Sequence, residues 1–126
     1  MKIKQTESVE SNPVDMEGAS GVAMRLLVSD ADGAPNFTMR QFVVEPGGHT
    51  PKHTHPYEHE VYVVSGDGVA LEGDVEHAIT GGDVVFVRPD EVHQFRNTGQ
   101  SPMTFLCLIP NSAAGQPVTP VPDCCG

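Results

Sequence analysis

The sequence predicts a single all-β domain, and three observations predict it. Thirteen Gly and eleven Pro are spread through 126 residues and cut the chain into short apolar runs. Those runs are rich in the Val, Ile, Phe and Tyr that suit a pleated surface, and none has the length of a typical helix. The chain length also matches one core of ~100–150 residues rather than two.

Taken in order, residues 1–20 are polar with weak periodicity and are expected to fray or to add an edge strand. Strands are then expected at Ala23–Val28, Phe37–Glu45, His49–His55, His59–Ser65, Val69–Glu72, Asp83–Val87, His93–Asn97 and Met103–Ile109. Turn chemistry falls between them at Asp30-Ala31-Asp32-Gly33, Glu45-Pro46-Gly47-Gly48, Ser65-Gly66-Asp67-Gly68 and Thr80-Gly81-Gly82-Asp83. The segment around Asp74, Glu76 and His77 reads as a hairpin loop. Asn111–Gly126, rich in Pro, Ala and Gly, lacks apolar alternation and reads as a flexible tail, which leaves residues 21–110 as the folded domain. Short strands at regular spacing imply a sandwich or a barrel.

Composition narrows the function. Seventeen Asp plus Glu against seven Lys plus Arg give a formal charge of -10, which repels phosphate backbones and anionic headgroups. Nucleic-acid and membrane partners are therefore not expected. No run approaches the ~20 apolar residues of a membrane span, and the N-terminus lacks the apolar core of a signal peptide, so a cytoplasmic protein is expected. Cys107, Cys124 and Cys125 form no spaced framework and are expected to be reduced thiols.

The histidines carry the chemistry. Residues two apart in a strand share a face, so His53 and His55 place two imidazoles side by side, and His59 joins them if the Pro56-Tyr57-Glu58 loop keeps the register. The same parity continues into Val61 and Val63, which suit an interior, while Glu60 and Tyr62 point the other way. That parity favours His59 over Glu60 as a third ligand. His93 opens another strand and, with Phe95 and Asn97, supplies an alternating series able to face the first three. A lone histidine is more often solvated or paired with a carboxylate than a metal ligand, but the HxHxxxH spacing reverses that balance. His49 follows two glycines and is left outside the set, and His77 stands apart from it.

On these residues the chain resembles the cupin superfamily over most of residues 34–110. Gly47, His53-Thr54-His55, His59 and Gly66 keep the intervals of the first cupin motif, with His59 in the place of its usual glutamate. Gly82, Arg88-Pro89-Asp90, His93 and Asn97 keep those of the second, with Arg88 and Asp90 replacing its usual Pro and Gly. Asp tolerates left-handed geometry better than most residues, so Asp90 suits the turn. APNFTMRQFVVEPGG, HTHPYEHEVYVVSG, EVHQFRN and FLCLIP look especially like the small single-domain manganese cupins. The resemblance implies a double-stranded β-helix, or jelly-roll barrel. It also implies His53, His55, His59 and His93 as ligands of one divalent ion per chain, and a homodimer formed through edge strands. It favours Mn(II), although nitrogen donors hold Cu, Ni or Zn more tightly and Fe also fits.

Four neutral ligands leave the ion its full charge and, in a six-coordinate ion, two open positions. The expected function is metal-dependent oxidation of a small, largely apolar substrate, such as oxidative carbon–carbon cleavage with dioxygen or peroxide. The alternatives are a non-catalytic ligand-binding or metal-binding cupin and a cupin isomerase or lyase; fold cannot choose among them. Phe95, which shares a face with His93, and Phe105 and Cys107 on the last strand are pocket candidates. Each Phe also reads as ordinary core, and Cys107 as either an inert core thiol or an oxidisable one. Arg40 either orients an anionic group at the site or makes an outward salt bridge.

Overall fold

The computed structural model describes residues 1–114 and 118–121. The chain forms β1 (Ser11–Pro13), β2 (Ser20–Val28), β3 (Phe37–His49), β4 (His53–Thr54), β5 (His59–Ser65), β6 (Asp67–Glu72), β7 (Val75–Thr80), β8 (Val84–Val87), β9 (His93–Asn97), β10 (Met103–Pro110) and β11 (Thr119–Pro120). The remaining regular elements are short 3-10 turns at Thr6–Ser8, Asp30–Asp32 and Asn111–Ala113. Among the described residues, no helix is long and apolar enough to cross a membrane.

The strands curl into one barrel in the order β11-β4-β9-β3-β10-β5-β8, with β2 against β3, β1 against β2 and the β6–β7 hairpin against β9. Period-two alternation drives the closure. On β10, Met103, Phe105, Cys107 and Ile109 are buried while the residues between them are only half-buried. On β5, His59, Val61 and Val63 face in and Glu60, Tyr62 and Val64 face out. The inward sets meet Val22, Val44, Val87 and Phe95 in a single core. Phe105 lies at its centre, stacked on Phe42 at 5.3 Å and tilted against Phe95 at 4.9 Å.

Several elements differ from the sequence expectation, each for a local reason. Glu45-Pro46-Gly47-Gly48 is not a turn: β3 runs through it, with Gly47 at φ 80. A Cβ on Gly48 would stand 2.6 Å from the Ser20 carbonyl, so the missing side chain lets β3 approach β2. The expected strand His49–His55 is broken at Thr50-Pro51-Lys52. There Thr50 bridges to β9, its N–H donating to the Phe95 carbonyl and its hydroxyl accepting from the Phe95 N–H, both at 2.9 Å. Val75–Thr80 is a full strand rather than a loop. It escapes the sequence because all of its residues except Ile79 are exposed, so alternation is weak. The polar N-terminal segment does contribute the short edge strand β1. Part of the expected tail is also ordered, since Thr119 and Pro120 pair with Thr54 and His53.

Asp90 adopts φ 64, the left-handed geometry that its motif position demands, and its N–H donates to the His55 carbonyl at 2.8 Å. Gly68 sits where β6 crosses β9. A Cβ there would collide with the Arg96 carbonyl and lie 2.6 Å from Met103 Sδ. Gly68→Ala is therefore expected to destabilise the protein by about 3 kcal/mol, the upper end for overpacking, as read from urea unfolding.

Candidate metal centre

Three separate pieces of chain deliver the four imidazoles. His53 on β4 lies opposite His93 on β9, His55 follows directly on β4, and His59 opens β5. One ligand atom from each of His53, His55, His59 and His93 falls within 4.8 Å of all the others. His55, His59 and His93 are buried and His53 is half-buried.

Their hydrogen bonds orient them. His55 Nδ1 donates to the Tyr57 carbonyl and His93 Nδ1 to the Glu91 carbonyl, each at 2.8 Å. A carbonyl only accepts, so both rings carry their proton on Nδ1 and present a bare Nε2. His59 Nδ1 contacts Cys107 Sγ at 3.2 Å, and its Nε2 lies 2.8 Å from His55 Nε2. Two lone pairs this close repel unless a proton or a cation sits between them. The Tyr57 ring stacks on His55 at 3.7 Å with 7° between planes, which holds the ring in place. Asn97 supports the strand end beneath the cluster, donating to the Val44 and Ser101 carbonyls at 2.8 Å.

Burial dominates the electrostatics. It pushes His59 down to about 2, His53 to about 3 and His55 to about 4, with charge from neighbouring imidazoles and Arg40 adding to the effect. His93 is lowered for the same leading reason. All four rings are thus neutral at neutral pH, the protonation state that ligates metal. His53 Nδ1 and His93 Nε2 are buried with no hydrogen-bond partner, a costly state unless something binds there. Neutral rings, bare nitrogens and unpaired buried atoms fit a divalent cation, and the cluster could hold one.

A cavity of ≈ 320 Å³ opens beside the cluster. Arg40, Phe95 and Cys107 line it together with His53, His59 and His93. Arg40 faces inward on β3, which settles the facing that apolar residues on both sides of that strand leave open in the sequence. Phe105 is absent from the lining; it lies behind the wall, fully buried between Phe42 and Phe95. Glu60 is exposed on the outer face, pushed up to about 7 by desolvation and by Glu58. His49 lies outside the cluster near the Thr50 carbonyl, and His77 is on the surface against Glu72 at 3.0 Å. Cys124 and Cys125 lie outside the described residues. Sequence reasoning missed the roof: Pro13, Val14 and Met16 from the N-terminal segment close over the cavity. Their polar neighbours gave no periodic signal.

Known proteins share this arrangement of the chain. The polyketide cyclase RemF from Streptomyces resistomycificus superposes with a TM-score of 0.89 at 30% identity, covering 98% of this chain and 87% of that one. An oxalate-binding protein of Thermotoga maritima is 30% identical over 112 residues, 86% of this chain and 93% of its own length. A 1-methylthio-D-xylulose 5-phosphate methylsulfurylase of Rhodospirillum rubrum is 33% identical over 82 residues, 65% of this chain; the match spans only 52% of that enzyme. The cupin domain family matches residues 40–109, which hold the four histidines and the strands that carry them, and the chain belongs to that family.

Proposed function

We propose that this protein is a metal-dependent enzyme acting on a small, carbonyl-bearing and largely apolar molecule, with ring closure of a polyketone-like substrate as the favoured reaction. One observation carries the reading: the all-imidazole cluster opens directly on a cavity whose other walls are mostly apolar, with no Asp or Glu among its described lining residues. Whole-length similarity to a polyketide cyclase supports the substrate class.

When bound to four neutral ligands, a divalent ion keeps its charge and supplies Lewis acidity toward a carbonyl oxygen. His53, His55, His59 and His93 would hold it. The chain's own part is positioning. Val22, Met24, Phe95 and Ile109 shape the apolar wall and exclude water, so a flexible chain of carbonyls is held folded with its reacting carbons close. Tyr57 lines the same cavity and burial raises its phenol, which keeps the hydroxyl protonated and able to donate to a developing alkoxide. The proton leaving the attacking carbon would pass to bulk water or buffer, since the described lining holds no carboxylate to accept it.

The oxidative reading uses the same cavity and is supported by the donor set alone, since imidazoles also ligate redox-active Mn, Fe and Cu. Heptane-2,4,6-trione, incubated anaerobically with metal-loaded protein, tests the choice by chromatography against His53→Ala. Ring closure faster than with the variant supports the cyclase reading. Turnover of an aryl alkene only with dioxygen or peroxide supports the oxidative one. Neither activity leaves ligand binding, for which similarity to an oxalate-binding protein speaks.

The homodimer belongs to the same proposal. Tyr62, Val64, Val84 and Phe86 stand exposed around the edge strand β8, a face that a second copy would cover. Light scattering is expected to return twice the chain mass, and monomer alone at micromolar concentration would contradict it.

A further inference from the structure

We infer that Arg40 is the anion anchor of the cavity, and that the ligand is a largely apolar molecule carrying a carboxylate. The inference rests on the cavity being a ligand site, as proposed above, but not on a metal being bound there.

Arg40 sits on β3 with its guanidinium carbon 4.9 Å from the centroid of the Phe42 ring. One terminal nitrogen donates to Cys107 Sγ at 3.2 Å, and Nε is buried with no hydrogen-bond partner. A thiol is a weak, neutral acceptor and leaves the charge uncompensated. Among the described residues no carboxylate pairs with Arg40, whereas Lys4, Lys52 and Arg96 each meet an acid, Asp32, Asp74 and Glu76 respectively. Acids are not scarce in a chain with seventeen Asp plus Glu. They are kept out of this cavity, whose described lining contains none.

A guanidinium stays charged under all ordinary conditions, and Arg40 is half-buried with no counterion, an arrangement that costs free energy. Here the fold holds it in the wall of a cavity, with donors left over. An incoming anion would supply the missing partner and take the free Nε–H. The four imidazoles add no negative charge, and a divalent ion among them would raise the demand for an anion further.

The rest of the cavity sets the body of the ligand. Val22, Met24, Phe95 and Ile109 are apolar, and ≈ 320 Å³ lies at the small end of ligand pockets. One guanidinium in such walls suits a carboxylate, which a single fork satisfies. A phosphate presents more oxygen atoms than the donors on this wall could meet.

Calorimetric titration with phenylacetate and its neutral isostere phenylacetamide tests the anchor. Wild type, Arg40→Met and Arg40→Gln are each measured in chelator-treated and metal-loaded form. Chelator-treated wild type is expected to bind the acid about tenfold tighter than the amide or better. Both variants should lose that preference while keeping a cooperative thermal transition; two substitutions guard against one that fails to fold. Equal binding of acid and amide by wild type, no binding of phenylacetate, or a preference that survives in a folded variant overturns the anchor. A preference that appears only with metal and ignores Arg40 also overturns it, while leaving the metal reading intact. A preference lost in the variants without metal upholds the anchor even if the cluster never binds an ion.

Discussion

Titration of metal-free protein with Zn(II) is expected to saturate at one ion per chain, and His59→Ala is expected to weaken that binding by more than about 100-fold. Losing a group that merely orients a ligand already costs ~10–100-fold, and His59 contributes a donor itself. Its Nε2 stands 2.8 Å from His55 Nε2, and no other described side chain can replace it from β5, because the next residue, Glu60, points outward. Glu60→Ala is accordingly expected to bind as wild type does. The reverse result, loss with Glu60→Ala and retention with His59→Ala, would show the sequence parity and the cluster geometry to be irrelevant to binding.

Acid is expected to unfold the metal-free protein early. The ordinary histidine value is 6.5, while burial holds His53 at about 3, His55 at about 4 and His59 at about 2 in the folded state. Below pH 6.5 the unfolded chain therefore takes up protons that the folded chain refuses. Stability from these groups is fully present above that value and is lost progressively as pH falls toward the folded values. Between pH 6.5 and pH 4 the loss is on the order of 5 kcal/mol, comparable with the whole stability of a small domain. A metal bound only to neutral imidazoles should move the transition to lower pH. Circular dichroism across an acid titration, with and without Zn(II), reads both effects, and a metal-free protein equally stable at pH 7 and pH 4 would contradict them.

What the sequence carried well was parity. Period-two spacing put His53 and His55 on one face and continued through His59 to Val61 and Val63, and the structure keeps that face inward. The β10 residues Phe105 and Cys107 followed the same rule. Parity fails where tertiary contacts replace local ones. Thr50 interrupts an apparently continuous strand because its side chain substitutes for a ladder bond to Phe95, and no local pattern encodes that. Strand β7 stays illegible because every residue but Ile79 is exposed, so pairing with β6 does more than burial to hold it. Arg40 points inward despite its charge, onto Phe42, Cys107 and the cavity, contacts that no local pattern encodes. Phe105 and Phe95 carry the same local signal and both join the core, yet of the two only Phe95 also lines the cavity, a difference set by tertiary placement.

Anomalous diffraction from crystals grown with Zn(II) reads directly which side chains hold the ion. One strong peak is expected among His53, His55, His59 and His93, with nitrogen distances of about 2.0–2.2 Å and at least one further position open toward the cavity. An empty cluster in crystals whose zinc sits instead at the exposed His77–Glu72 pair would contradict it.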